Sequence, residues 1–554
     1  MKNLLIAICF LSFAVGSLSA QIANDEAIIH LNKPYYVSGE TVWYQLYLPN
    51  AFAGAKGNVQ VMIQNKNGQV IDDMFWLMED ARLDGYFKIP YDVASDLYHF
   101  SIYAIDNNTR KPTMITNWEV PIYNDLNPQG MQAIYPERSI FTAEDNMFDL
   151  QISTDKSVVR KGENINVSVK LPPGVRGEIG SVSVSDVSLI GSAAESTVIK
   201  SRITLSDGVN LGIDERTFVH GMIADASTGQ PAKIGVIGAY NPTYNKMYYT
   251  KSDDDGLFTL LLKDHVGREY LQVSGTLYDL YADTEVKLSS PSVPQDVRLI
   301  ADYDDDIVAY LKESNSRKRI YQYFKEVETP VNYDETKGLE YLYVKPNKLV
   351  NVKEYVTFEN TGIFFNEVLG HLIDFKKKDE KVTARLFDPE SKRVISSSDE
   401  YYFPRSPVFV VDGNMTKDAD YVYNLKLTDL QDVSIYNDWR DITKQFGTFG
   451  DFGYVVINTS QTKIEIPKND MDDIVGFSGK GRDAVYPISI STSDERSAPY
   501  LQPTVYWNPE ERSNSFSFKT SDDVGEFLIQ MVVRDEQGKV SVANMRYKTS
   551  RALN

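Results

Sequence analysis

Short runs in which apolar and polar residues alternate dominate the chain. Residues 41–48, 59–63, 164–171 and 182–187 are rich in β-branched and aromatic side chains, which is typical of strands. Turn-forming residues separate such runs at intervals of about 8–12 positions, a spacing that predicts β-sandwiches. Five side chains in strand-like runs are expected in or beside the cores, namely Trp43, Tyr44, Val411, Ile457 and Trp507.

Two segments break this rhythm and predict helix. In residues 303–327, apolar positions share one helical face up to Leu311 and a different face from Ile320 onwards. We therefore expect two short helices there, with a break near Ser314. A further helical segment is expected at residues 364–375.

Length and charge limit the class of protein. The chain has 554 residues, enough for three or four domains of about 150 residues each. Asp and Glu number 77 against 57 Lys and Arg, a net charge of −20. Such a surface repels nucleic-acid phosphates and anionic lipid, so we expect neither as a partner.

The N-terminus has the pattern of a secretory signal peptide. A short basic start precedes an apolar run at residues 4–15 and small residues up to Ala20. This run is shorter than the ~20 residues of a membrane span, and no later stretch reaches about eighteen apolar residues, so no membrane-spanning segment is expected. We expect residues 1–20 to be removed, with cleavage after Ser19 as an alternative. The single cysteine, Cys9, would leave with them, so the mature chain is expected to have no thiol or disulfide.

The first domain resembles a known family. Residues 28–43 read IIHLNKPYYVSGETVW, in which a Lys-Pro pair and a Gly-Glu-Thr-Val turn precede an alternating strand. This pattern is similar to the first strands of an α-macroglobulin domain of the MG2 type. Residues 85–90 and 97–104 resemble later strands of the same domain, so the resemblance covers about residues 24–124. Macroglobulins that trap proteases use a Cys–Gln thioester, which we expect this chain to lack.

A middle segment resembles a second family. Residues 219–232 read VHGMIADASTGQPA and are similar to the start of the carboxypeptidase regulatory-like β-sandwich. Residues 250–258 resemble the later turn and strand of that fold. The fold accompanies peptidases without itself being catalytic, so the resemblance implies no activity.

A third resemblance lies further along the chain. Residues 409–413 (FVVDG), 430–435 and 450–459 are similar to strands of the plug domain of TonB-dependent receptors, and residues 365–375 resemble its first helix. The chain departs from that family within residues 437–450. We expect the receptor's barrel to be missing, since 94 residues follow Ser460.

The tail and the order of the segments complete the prediction. Residues 503–529 resemble a later macroglobulin strand segment, and the whole order resembles a class of exported bacterial envelope proteins. The predicted fold is mainly β, with tandem Ig-like or macroglobulin-like β-sandwiches plus a small α+β plug-like domain. The predicted boundaries are 1–20 for the signal peptide, 21–128 for the macroglobulin-like sandwich, 140–215 for a second sandwich, 216–300 for the regulatory-like sandwich, 301–350 for a helical linker, 351–465 for the plug-like domain and 466–554 for the C-terminal β segment.

No arrangement of residues predicts catalysis, a cofactor or a metal site. The histidines stand apart without zinc-site spacing: His30, His99, His220, His265 and His371. Residues 476–480 lack the second glycine of a Gly-x-Ser-x-Gly nucleophile motif. The acidic runs 253–256 and 302–313 depart from the EF-hand pattern, so a β-turn and a helix cap explain them better. Calcium at sandwich edges stays open.

Two functional hypotheses follow. The first is a non-catalytic exported envelope protein that acts as an interaction or docking component for an outer-membrane channel or transport complex. The alternative is a carbohydrate-binding protein or enzyme that uses aromatic loops at residues 401–403 or 506–507. The expected location is the periplasm or the outer membrane, with the cell surface as an alternative.

Overall fold

The computed structural model describes most of the chain from Asp25 to Arg551. The residues outside this description are 1–24, 127–132, 136–138, 176, 207, 242–245, 264, 277–283, 290–299, 303–304, 325–344, 356–357, 379–380, 390–400, 439, 441–451, 461–472, 482–485, 487–498 and 552–554. The predicted signal peptide and Cys9 therefore lie outside the described residues, as do residues 303–304 and 325–344 of the predicted linker and the departures from the plug pattern at 441–450.

The described chain forms two compact units built mainly from strands, as expected from the sequence. Unit one comprises Met1–Glu215, Pro291–Tyr333 and Lys480–Asn554. Unit two comprises Arg216–Ser290 and Asp334–Gly479.

The strands alternate between the two units along the chain. Unit one begins with β1 (Glu26–Leu31), β2 (Tyr36–Val37), β3 (Thr41–Tyr47), β4 (Lys56–Gln64), β5 (Val70–Glu79), β6 (Arg82–Lys88), β7 (Asp96–Asp106), β8 (Pro112–Tyr123), β9 (Ala133–Tyr135), β10 (Ser139–Ile140), β11 (Gln151–Thr154), β12 (Val158–Arg160), β13 (Asn164–Lys170), β14 (Gly177–Asp186), β15 (Val198–Arg202) and β16 (Leu211–Gly212). Unit two follows with β17 (Thr217–Asp225), β18 (Val236–Asn241), β19 (Lys246–Lys251), β20 (Leu257–Leu262), β21 (Arg268–Thr276) and β22 (Thr284–Leu288). After β23 (Ile300–Asp302) of unit one, unit two continues with β24 (Lys348–Asn351), β25 (Ile373–Lys378), β26 (Lys381–Leu386), β27 (Val408–Val411), β28 (Asn414–Thr416), β29 (Leu430–Tyr436), β30 (Tyr454–Thr459) and β31 (Asp473–Ser478). Unit one ends with β32 (Thr504–Glu511), β33 (Ser515–Lys519), β34 (Gly525–Asp535) and β35 (Val540–Ser550).

The helices are short, with one exception. They are α1 (Val187–Ile190), α2 (Asp305–Phe324), α3 (Thr361–Val368) and α4 (Ala419–Asn424).

The N-terminal sandwich of unit one is a long sheet folded back on itself. Its strand order is β10-β15-β1-β3-β6-β5-β4-β7-β8-β2, with β16 beside β7. Tyr44 of β3 packs its ring 6.2 Å from that of Phe100 in β7 and 5.5 Å from that of Trp118 in β8. Because these strands are distant in the sheet order, the contacts show that its two halves enclose one core.

The second sandwich of unit one is assembled from two distant parts of the chain. One sheet has the order β11-β13-β33 and the other β12-β35-β34-β14-β32. The strand β14 lies between β32 and β34, so strands from the predicted 140–215 and 466–554 segments share a sheet. Alternate residues of β13 are buried, as its sequence predicts. The domain boundaries themselves stay a prediction.

The helix α2 corrects one prediction. It is continuous from Asp305 to Phe324, so the predicted break near Ser314 is wrong. The buried face begins with Ile307, Tyr310 and Leu311 and continues through polar residues, since Ser314 and Arg317 are 5% and 8% exposed. The prediction relied on apolar residues alone and therefore missed the polar part of this buried face.

Unit two contains a third sandwich. Its sheets have the orders β20-β17-β22 and β19-β18-β21-β31, and Ile223, Ile237 and Leu260 lie in the core between them. The chain turns after Asp225, where the Asp225 carboxylate accepts hydrogen bonds from the backbone N–H groups of Ser227 and Thr228, at 2.9 Å each.

The rest of unit two is an α+β domain. A mixed sheet of order β24-β29-β30-β27-β28 packs with α3, α4 and the β25–β26 hairpin around one core. The three segments that resemble a plug contribute β27, β29 and β30, which are neighbours in this sheet. The predicted helix at 364–375 is wrong in its second half, because α3 ends at Val368 and the chain enters β25 at Ile373.

The predicted core residues are confirmed. Tyr44, Val411, Ile457 and Trp507 are at most 1% exposed. Trp43 lies beside a core and is half-buried, with its ring 5.0 Å from that of Tyr86 and 5.4 Å from that of Tyr486.

Candidate functional site

One histidine forms contacts with serines that superficially suggest catalysis. The Nδ1 of His30 lies 2.7 Å from Ser181 Oγ, and its Nε2 lies 3.0 Å from Ser183 Oγ. All three side chains are at most 2% exposed, and burial lowers the pKa of His30 to about 3. A neutral ring enclosed between β1 and β14 has no access to a substrate, so these contacts join the two sandwiches of unit one.

The other histidines lie apart from one another. The Nε2 of His265 lies 2.6 Å from Tyr248 Oη, and the Nδ1 of His220 lies 3.0 Å from Thr259 Oγ1. His99 is buried 3.6 Å from a Glu119 carboxylate oxygen, and burial lowers its pKa. His371 is exposed in unit two.

The acidic runs have structural partners. Asp253 accepts backbone hydrogen bonds from Asp255 and Leu257 in the turn before β20. Glu313 pairs with Arg317 at 3.0 Å within α2. Among the residues that the structure describes, no three His, Cys, Asp or Glu side chains come close enough together to hold a metal ion.

Buried ion pairs fix α2 against both sandwiches of unit one. The Nζ of Lys33 lies 2.5 Å from Glu40 Oε2 and donates to Tyr310 Oη of α2 at 3.0 Å. About two helical turns further along the same buried face of α2, Arg317 forms a bidentate pair with Asp523, at 2.8 and 3.2 Å. Such geometry offsets part of the cost of removing charges from water, and it makes the joint rigid.

Unit two carries a hairpin with two unlike faces. Alternate residues of β25 and β26 point into the core, namely Ile373, Phe375, Val382, Ala384 and Leu386. The Asn366 side chain of α3 donates to the carbonyl of Phe375 at 2.9 Å and accepts from its N–H at 2.8 Å. The core and this amide therefore fix the hairpin and direct its other face to solvent.

The solvent face of this hairpin is basic. Its members, in paired positions across the two strands, are Asp374 with Arg385, Lys376 with Thr383, and Lys378 with Lys381. Four basic groups thus face one acid, whereas acids outnumber bases over the whole chain. We call these six residues the basic face.

An open cavity of about 490 Å³ adjoins the basic face. Its walls include His371, Asp374, Arg385, Tyr401 and Tyr402. The Asp374 carboxylate lies 3.5 Å from Lys376 Nζ and 3.6 Å from an Arg385 Nη.

The tyrosines are held next to the hairpin by backbone bonds. The N–H of Asp388 donates to the Tyr401 carbonyl at 2.9 Å, and that of Phe403 donates to the Leu386 carbonyl at 2.9 Å. Arg385 lies over the Tyr402 ring, 5.1 Å from its centroid, a favourable cation–π distance. Tyr401 is 37% exposed, so one ring remains accessible from the cavity.

The two aromatic candidates from the sequence differ in placement. Tyr401 and Tyr402 line the cavity, whereas Phe403 is buried. Tyr506 and Trp507 lie within β32 and are 5% and 1% exposed, so they belong to a core and form no loop. The prediction missed the basic residues of the hairpin, although the run Lys376–Lys378 was visible in the sequence.

No family model matches the chain, and no curated protein matches it. Solved structures that share some likeness include bacterial macroglobulins. The chain is 8% identical to the Escherichia coli α2-macroglobulin activated by porcine elastase, over 95% of this chain and 44% of that one, with a TM-score of 0.21. The chain is 9% identical to the Salmonella α2-macroglobulin reacted with methylamine, over 96% of this chain and 40% of that one, with a TM-score of 0.23.

Another neighbour is the dimeric latent PorU of Porphyromonas gingivalis, at 12% identity over 48% of this chain and 34% of that one, with a TM-score of 0.17. The chain thus spans less than half the length of these proteins. The macroglobulins are of the kind that residues 24–124 resemble, but TM-scores this low carry no argument about function. In the described part of the chain, no helix has the length and apolar character to cross a membrane.

Proposed function

We propose that this chain is a non-catalytic, exported envelope protein that binds a protein partner through the plug-like part of unit two. The partner we propose is an outer-membrane channel or transport-complex protein. The observation that carries the proposal is the basic face with its adjoining cavity, where charged and aromatic side chains are held in fixed positions and face solvent.

The positions of the potentially reactive side chains support a non-catalytic role. The serine and histidine side chains that approach each other in unit one are closed off from any substrate. At the cavity, the residues that the structure places in the lining are His371, Asp374, Lys376, Arg385, Phe387 and two tyrosines. Such a set of side chains recognises charge and shape and is typical of binding.

The resemblance to a plug supports the choice of partner. Its three strand segments are adjacent in one sheet, and the Asp412–Gly413 turn joins β27 to β28. Plug domains occupy outer-membrane proteins, so a block that keeps such surfaces would suit a partner of that kind. The predicted signal peptide would deliver the chain to the same compartment.

Site-specific photo-crosslinking in the native envelope tests this proposal. A photoreactive amino acid is placed at Thr383, in the centre of the basic face, and in a second strain at Lys170, an exposed position at the end of β13 in unit one. After irradiation and mild-detergent purification, we expect one outer-membrane protein attached through position 383 and absent from position 170. No adduct, or the same adducts from both positions, contradicts the proposal.

Carbohydrate binding is the second candidate, and the placement of Tyr401 and Tyr402 at the cavity favours it. Aromatic faces bind the apolar sides of sugar rings. Saturable binding on a glycan array that is abolished by Tyr401→Ala would favour this candidate over the protein partner.

A further inference from the structure

We infer that the basic face binds a short acidic peptide segment in extended conformation, with its carboxylates on the lysines and arginine. This inference rests on the proposed binding function and names the chemistry of the partner's contact. It is carried by the charge of the face, by the spacing of its side chains and by its small size.

The charge of the face contrasts with that of the whole protein. The described face has four bases and one acid, while the chain has a net charge of −20. Counting Asp379 and Glu380, which lie outside the described structure, the sequence of residues 373–386 still carries five bases against three acids. A basic surface on an acidic protein attracts an anionic group locally.

The spacing of the bases matches an extended peptide. Lys376 and Lys378 are two residues apart on β25 and therefore lie about 6.8 Å apart along the strand. Lys381 and Arg385 lie on the adjacent strand, about 4.8 Å away across the hairpin. Alternate side chains of an extended peptide repeat at the same distance of about 6.8 Å, so acids at every second position can each meet a base.

The size of the face argues for a short ligand. Each strand of the hairpin has six residues and is therefore about 20 Å long. Charges interact over only about 8 Å at physiological salt, so a local basic face can act despite the acidic remainder of the surface. A long polyanion or an anionic membrane would extend over that acidic remainder and be repelled.

The cavity adds a second contact at one end of the face. Arg385 is oriented by Asp374 and by the Tyr402 ring, which prepares its guanidinium for a bidentate bond to a carboxylate. The exposed ring of Tyr401 offers an apolar surface to an adjacent side chain of the peptide.

Fluorescence polarisation with the full chain tests the inference. The probe is a labelled octapeptide in which glutamate alternates with serine, and the competitors are an acidic oligosaccharide and vesicles of anionic lipid. The site variant is Lys376→Gln/Lys378→Gln/Lys381→Gln. The matched control, Lys161→Gln/Lys170→Gln/Lys312→Gln, removes the same charge from exposed positions of unit one.

We expect saturable peptide binding at about 50 mM salt that weakens as salt rises. The site variant should weaken it about tenfold, since three exposed charge contacts are lost, while the control variant changes Kd less than about twofold. Equal losses in the two variants, no saturable binding, or displacement of the peptide by the oligosaccharide or the vesicles at lower concentration than unlabelled peptide overturns the inference.

The crosslinking experiment separates the two proposals. If the outer-membrane adduct at position 383 persists in the site variant, the acidic-peptide inference fails while the proposed function stands. If the wild-type chain captures no partner, the proposed function fails, whatever the peptide does.

Discussion

The Nδ1 of His30 lies 2.7 Å from the Oγ of Ser181, a residue 151 positions further along the chain. Tyr47 donates to the same serine oxygen at 2.8 Å, and Ser183 lies 3.0 Å from the other ring nitrogen. A polar group is thus buried where the N-terminal sandwich meets β14, with a partner for each ring nitrogen. Such satisfied networks are stable as long as the ring stays neutral.

Unit one should lose stability in acid through His30. Its folded-state pKa of about 3 lies below the ordinary histidine value of 6.5, so the unfolded chain takes up the proton first. The contribution of His30 to the free energy of unfolding is fully present above pH 6.5 and is lost as pH falls towards 3. The loss between pH 6.5 and 5 is about 2 kcal/mol. Denaturant unfolding should show this slope in the wild type and in the exposed-histidine control His371→Gln. A His30→Gln chain with the same slope would show that another group is responsible.

Asp186 should have the opposite effect on how the stability of unit one depends on pH. Burial, aided by the charge of Asp523, raises its pKa from 3.8 to about 6, so the folded state holds the proton more tightly. Its ionisation therefore destabilises unit one as pH rises from about 4 to 6. Asn keeps the cap on the N–H of Leu189 without the charge, so Asp186→Asn should raise the free energy of unfolding by about 1–3 kcal/mol near pH 7.5 and change it little near pH 4. A lower stability near pH 7.5 would contradict this account.

The two tryptophans should differ in their contribution. Trp507 is 1% exposed and packs 5.0 Å from the His30 ring, so Trp507→Ala should cost about 3–5 kcal/mol. Trp43 is half-buried beside the core, and Trp43→Ala should cost about 1–2 kcal/mol. Chemical unfolding followed by circular dichroism measures both. Equal costs would mean that the depth of burial does not decide the effect.

The second sandwich should require both of its chain segments. A fragment of residues 146–190 contains β11–β14 but lacks β34, which pairs with β14 over most of its length. We expect this fragment to be unfolded by circular dichroism, and the same fragment linked to residues 499–551 to give a β spectrum and cooperative melting. A folded short fragment would show that β14 can find other partners.

Asp412 should stabilise unit two through its turn. It adopts a φ of +45°, followed by Gly413 at +81°, which is typical of a tight hairpin turn. Its carboxylate accepts bonds from the N–H of Thr459 at 2.7 Å and from its hydroxyl at 2.5 Å. Asp412→Ala loses both bonds and strains the backbone, so it should cost about 2 kcal/mol, and Asp412→Asn should cost less. If the two variants unfold alike, the side-chain bonds contribute little.

Local patterns predicted the local structure well. The alternation in residues 164–171 became the strand β13, and aromatic residues in strand-like runs, such as Trp507, became core residues. These features depend on which side of a strand faces water, and that information is contained in a few neighbouring residues. The predicted break in α2 failed because Arg317 lies on the buried face through its pairing with Asp523, 206 positions away.

The candidate site was only partly visible in the sequence. The tyrosines at 401 and 402 were named as candidates, but their position beside Arg385 depends on backbone bonds to β26. The lysines at 376 and 378 share a solvent-exposed face only because the segment is a hairpin whose other face lies in the core. The prediction placed a helix immediately before them. An error in secondary structure therefore concealed the basic face.

The second sandwich also determines the order in which the protein can mature. During synthesis, β14 emerges about 340 residues before β34, its main neighbour, and all of unit two is made in between. Until the last strands arrive, β14 has unpaired backbone groups that chaperones or proteases can recognise. Chains that stop early, such as those from a prematurely terminated message, would keep this exposed edge, and cellular quality control could distinguish them from finished molecules.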